Sequence, residues 1–134
     1  MSVELFLDFN GKCEEALTYY QSLFGIEVSM LMRYEDSPEP EQCPANSQQK
    51  IMHANFKIGD TTFMASDGEC LGEPNFSGFS LSLNISNEEQ GTLILNSLAE
   101  QGSIIKPLSS SLWGGLFGSV KDRYGLTWMI SVLP

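Results

Sequence analysis

Positive charge is scarce in this chain. Seven Lys and Arg stand against 17 Asp and Glu, for a net charge of −10. The seven are Lys12, Arg33, Lys50, Lys57, Lys106, Lys121 and Arg123, and they are scattered along the sequence. A phosphate backbone needs a clustered basic footprint, so nucleic acid is not the expected partner. The acidity reads as a solubility feature. Long apolar runs are also missing: nothing approaches the roughly 18 apolar residues of a membrane span. The start, Met1-Ser2-Val3-Glu4-Leu5, has neither a basic opening nor a long apolar stretch, so no signal peptide is expected. Histidine occurs once, as His53, which cannot build a His-rich metal site alone. The three cysteines, Cys13, Cys43 and Cys70, give neither a disulfide framework nor a zinc spacing. Free thiols and a cytoplasmic location are the expectation. No Gly-rich phosphate loop, serine nucleophile elbow or metalloprotease motif is present.

What is there suits one α+β domain over residues 1–134, since that length can bury a core without staples. Val3 to Phe9 is an apolar run of strand length. Asn10-Gly11-Lys12 breaks it, and from Cys13 to Phe24 the period becomes helical. Ala16, Leu17, Tyr20, Leu23 and Phe24 form one stripe, and Gly25 supplies the stop. Cys13 opens that helix, where a thiol pKa can fall, although a small buried residue is the simpler reading. Glu27 to Tyr34 reads as a strand. Glu35 to Gln49 is acidic and carries Pro38, Pro40 and Pro44, so it reads as a loop, either a lid or a plain insertion. Lys50 to Ser66 reads as a hairpin about the Gly59-Asp60 turn.

A Gly- and Pro-rich connector over 68–77 separates a first module, about 1–67, from a second, about 78–134. Phe79 to Ile85 alternates apolar and polar residues. Ser86 with Glu89 suggests a capping box, followed by a helix through Gly91, Ile94, Leu95 and Leu98 to Gly102. Ser103 to Pro107 is predicted as a short strand, Ser109-Ser110-Ser111 as a loop, and Leu116–Val120 with Leu126–Val132 as a closing hairpin. Each half thus reads strand, helix, strand, hairpin. Gly59 precedes Met64 by the same spacing as Gly125 precedes Ile130.

Three ordered stretches carry a family resemblance. They are Phe9 to Gly25, Met52 to Asp67, and Trp113 with Phe117 to Trp128. The set resembles the PhnB-like branch of the glyoxalase/bleomycin-resistance/dioxygenase (vicinal oxygen chelate) superfamily. The resemblance implies two βαβββ modules forming a curved eight-stranded mixed sheet around a cleft, with helices outside. It also implies that two chains pair as a homodimer. Some relatives carry a label of demethylubiquinone methyl transfer, for which no Gly-rich methyl-donor loop is present here. Metal-dependent members of the superfamily place one His or Glu on each of four cleft strands. Carried over by the glycine anchors, those positions are Leu5, Met64, Ser80 and Ile130, with Glu4 or Phe6 as alternatives at the first. Divalent cations want nitrogen and oxygen donors, so no metal and no cofactor are expected.

On the strand around His53, Met52, Ala54, Phe56 and Ile58 share one face, and Ile51, His53, Asn55 and Lys57 the other. The turn sets Asn55 opposite Met64 and His53 opposite Ser66. The expected ligand-contacting residues are Asn55, Met64, Ser66, Ser80, Trp113, Phe117, Trp128 and Ile130. His53 is the candidate general acid/base, with Asp67 as a possible partner. Trp113 beside Gly114-Gly115 suits a flap. Three functions are open: binding of a small, partly apolar organic molecule without a metal; a divergent lyase/isomerase or metal-dependent enzyme using His53; and a non-catalytic dimeric scaffold whose tryptophans fill the cavity.

Overall fold

A computed structural model describes residues 1–38, 46–70 and 72–134. The expected lid or insertion therefore lies partly, at 39–45 with Cys43, outside the described residues. The chain divides into two compact units, Met1–Pro74 and Asn75–Pro134, and that division falls inside the 68–77 connector.

The first unit runs β1 (Leu5–Asp8), α1 (Cys13–Phe24), β2 (Glu27–Arg33), a single 3-10 turn at Tyr34–Asp36, β3 (Ile51–Ile58) and β4 (Thr61–Ser66). Its sheet has the order β1-β4-β3-β2. β1 lies parallel to β4, and the other neighbours are antiparallel. The second unit repeats this with β5 (Leu81–Ile85), α2 (Glu88–Ala99), β6 (Ser103–Ser110), β7 (Leu116–Lys121) and β8 (Thr127–Val132) in the order β5-β8-β7-β6. The eight strands thus form two four-stranded mixed sheets with one helix each, an α+β fold of two βαβββ modules. A parallel outer strand requires the crossover that each helix provides.

α1 forms where the apolar period of 3.6 begins, and it buries Cys13, Ala16, Leu17 and Tyr20. Against it stand Leu7, Phe9, Ala54, Phe56, Phe63 and Ala65, all buried. The Phe9 and Tyr20 rings lie 6.2 Å apart, and Phe56 stacks on Phe63 at 5.1 Å. Each such aromatic side chain stabilises by about 1.5–3 kcal/mol through burial. Gly25 ends the helix with φ of 67°, its amide bonding the Gln21 carbonyl. Gly59, with φ of 57°, opens the two-residue turn between the Ile58–Thr61 pair.

Several boundaries differ from expectation. α2 is capped by Asn87, whose side chain accepts from the Gln90 amide, rather than by Ser86. β6 continues through Ser110, so Ser109 and Ser110 pair with Phe117 and Leu116 instead of forming a loop. β6 is an edge strand, which tolerates Pro107. The Asn55–Met64 pairing holds. The expected His53–Ser66 pair is absent, because the described ladder ends at Ala54–Ala65 and the Asp67 amide bonds the Ile51 carbonyl. That irregularity also buries Ile51, which simple alternation puts on the polar face.

Two buried aspartates tie these units internally. Asp67 Oδ1 accepts from the Gly11 and Cys13 amides at 3.0 and 2.7 Å, and Oδ2 accepts from the Ile51 amide at 2.7 Å. One carboxylate at the end of β4 thus caps α1 and holds the start of β3. The adjacent residue Lys12 supplies no side-chain cap. In the second unit Asp122 Oδ1 accepts from the Tyr124 and Leu126 amides, and Oδ2 from Trp128 Nε1 at 2.9 Å.

Candidate functional site

In each sheet one face carries the helix and the other is open. In the first unit the paired residues Phe6, Met64, Asn55 and Met30 form a row across the open face. His53 lies beside it, paired with Met32. Its Nε2 is 2.9 Å from Asn55 Oδ1, so with that oxygen as acceptor the imidazole donates through Nε2. The Phe6 ring is 6.3 Å away. His53, Asn55 and Met64 are therefore brought together, as expected from strand parity. Asp67 is not the histidine's partner: its two oxygens are turned to three backbone amides. Ser66 is buried, and its hydroxyl accepts from the Gly68 amide.

In the second unit α2 packs on β6, β7 and β8. A Cβ on Gly91 would meet the side chains of Val132, Leu108 and Ile130, so α2 rests directly on this face. Ile130 is fully buried there and Trp128 is 2% exposed. Both were expected on the open side. The phase differs because the second hairpin closes over Asp122–Leu126, against Gly59-Asp60 in the first. Matching the two hairpins by glycine leaves the faces out of step, and a one-residue change of phase turns every side chain over. Trp128 sits in the core with its indole N–H on Asp122. Ser80 is exposed and precedes β5.

The open face of the second unit holds the row Asn84, Ser131, Phe117 and Ser109. Asn84 belongs to the polar half of the alternation in 79–85, so its side of the sheet was legible in the sequence. Asn84, Ser131 and Phe117 of this row border a cavity of about 560 Å3 that is also lined by Lys106, Trp113, Leu116 and Pro134. Lys106 Nζ stands 5.4 Å from the centre of the Phe117 ring, a cation–π arrangement. Trp113 is 91% exposed at the rim. The loop that carries it is a hydrogen-bonded turn rather than an open flap: Ser111 N bonds the Gly115 carbonyl, Gly114 N the Ser111 carbonyl, and Trp113 N the Ser111 hydroxyl. Nothing in the local sequence distinguishes Lys106 from other lysines. Only the pairing of β6 with β7 brings it to Phe117.

The positions to which the metal-site resemblance pointed do not gather donors. Leu5 pairs with Phe63, Met64 has Phe6 as its parallel neighbour, and Ile130 has Leu83. Among the described residues, no group of three or more His, Cys, Asp or Glu is assembled as a cation site. The side chains at these positions do not fit a divalent metal.

Cys13 is fully buried at the start of α1. Burial pushes its thiol well above the ordinary value, and the negative charge of Asp67 adds to this. We expect Cys13 to resist alkylation at pH 8 in the folded protein. Half-buried Cys70 should react about a hundredfold faster. Peptide mass spectrometry after an iodoacetamide pulse checks this, and equal labelling would contradict the buried thiol.

The duplicated βαβββ topology is a glyoxalase-like fold. The same fold recurs in a glyoxalase-related enzyme from Fulvimarina pelagi, at a TM-score of 0.65 and 17% identity, covering 100% of this chain and 88% of that one. Within that class, residues 2–131 match the family model described as 3-demethylubiquinone-9 3-methyltransferase. The chain belongs to this PhnB-like family. It is 33% identical to protein YjdN of Escherichia coli (strain K12) over 99% of this chain and 96% of that protein. Protein PA1353 from Pseudomonas aeruginosa superimposes with a TM-score of 0.84 at 34% identity, covering 99% of this chain and 98% of that one. No helix among the described residues is long and apolar enough to cross a membrane.

Proposed function

We propose that this chain binds a small, partly apolar organic molecule on the open face of its second unit, without the metal of its metal-dependent relatives, and that it does so as a homodimer. The observation that carries this is the cavity of about 560 Å3 bordered by Phe117, Trp113, Asn84, Ser131 and Lys106. Small-molecule sites are typically about 300–1,000 Å3, with apolar walls and a few placed polar groups. Leu5, Met64, Ser80 and Ile130, with strand neighbours Phe6 and Leu83, support the metal-free part of the reading.

A panel of small arenes followed by tryptophan fluorescence tests it. Trp113, exposed at the rim, should report binding by quenching, whereas Trp128 in the core should not. The signal should vanish in Trp113→Phe, and Phe117→Ala should weaken binding about tenfold. Light scattering on the same samples reads the pairing of chains. Unchanged emission across the panel, or quenching that survives both substitutions, would count against this site.

A further inference from the structure

The side chains that line the pocket of the second unit are asymmetric in charge. Among the described residues that line it, Lys106 is the one charged side chain and no Asp or Glu side chain borders it. That is unusual in a protein of net charge −10. The placement of Lys106 is also built into the sheet. It pairs with Ser119 in edge strand β6, between two register irregularities, one after Ile104 and one before Ser109. Such irregularities bend an edge strand and re-aim the side chain between them. β7 helps by offering Gly118, where a Cβ would lie 3.0 Å from the Lys106 carbonyl oxygen and 3.1 Å from the Leu108 backbone. A side chain there would push β6 outward and carry Lys106 with it. The aimed ammonium then stands over Phe117, and the Asn84 amide and Ser131 hydroxyl lie along the same row.

We propose that the ligand of this pocket is a planar organic anion, an aryl carboxylate or sulfonate in chemical type. Its charged group faces Lys106 and its flat body lies in the space between Phe117 and Trp113. This deepens the binding reading above and rests on it. The ammonium supplies a point charge, the amide and hydroxyl supply orienting hydrogen bonds, and the aromatic walls accept a flat apolar body. Because Lys106 is exposed, its contribution is bounded by that of a solvent-screened ion pair, about fivefold in affinity, and it weakens as salt is raised.

Two fluorescent probes that differ in the charged group separate the two claims: anilinonaphthalenesulfonate, an anion, and phenylnaphthylamine, its neutral counterpart. Both should bind the folded protein, the anion about fivefold more tightly at low salt. Lys106→Met should remove that preference, so that the two probes bind the variant equally. Lys121→Met, a lysine that does not line the pocket, should alter neither. Thermal melts read by circular dichroism confirm that the variants are folded. Equal binding of the two probes, or a preference indifferent to Lys106→Met, overturns the anion assignment and leaves the binding site standing. Failure of both probes to bind overturns the binding site itself, and the anion assignment with it.

Discussion

Asp67→Ala should destabilise the first unit by about 4 kcal/mol, read as a lower midpoint in urea unfolding. The side chain is fully buried and accepts from three backbone amides, those of Gly11, Cys13 and Ile51. A buried donor that loses its acceptor costs about 1–3 kcal/mol, and here three are affected, with partial relief from entering water. Asp67→Asn should cost about half as much, since one oxygen is kept for the start of α1 while the amide nitrogen faces the Ile51 amide. A cost below about 1 kcal/mol for Asp67→Ala would show that the carboxylate is not what joins α1 to β3.

Asp122→Ala should cost about 3 kcal/mol, because the Tyr124 and Leu126 amides and the Trp128 indole lose their shared acceptor. Trp128→Phe should cost about 2 kcal/mol, combining the lost hydrogen bond with the smaller ring in a closed core. The two changes touch one interaction, so the double variant should fall short of the sum by about 1 kcal/mol. Near-ultraviolet circular dichroism should lose the Trp128 signal in Asp122→Ala while the exposed Trp113 contributes little in either case. Additive costs would mean that the indole and the carboxylate act separately. Asp122 explains why Trp128, expected at a ligand, holds the closing hairpin instead.

The elements were largely legible because their signals are local. The stripe Ala16, Leu17, Tyr20, Leu23 and Phe24 and the set Gly91, Ile94, Leu95 and Leu98 mark helix faces by period alone, and all are buried except Leu23 and Phe24, which are half-buried at the end of α1. Asn55 faces Met64 because a two-residue turn sets the count. The capping residue of α2 was missed by one position, since Ser86 and Asn87 are both good caps and the sequence does not rank them. The extent of β6 was missed because the run Ser109-Ser110-Ser111 reads as a loop, whereas the strand continues through Ser110.

The candidate site was less legible. Phe117 and Trp113 were found by their aromatic character, but Lys106 reached the pocket through strand pairing with β7. In the sequence Asp67 is a possible partner for His53, and nothing there demonstrates the contact. The backbone amides of Gly11, Cys13 and Ile51, 16 to 56 residues away, claimed it.

By itself the sequence determined the kinds of element, their duplicated order and the turns, since periodicity and turn chemistry act over a few residues. Tertiary structure alone decided which face of β8 meets α2, which carboxylate caps α1, and which side chains share a pocket. Those outcomes depend on the phase between strands. A turn of different length inverts that phase while the pattern along each strand stays the same.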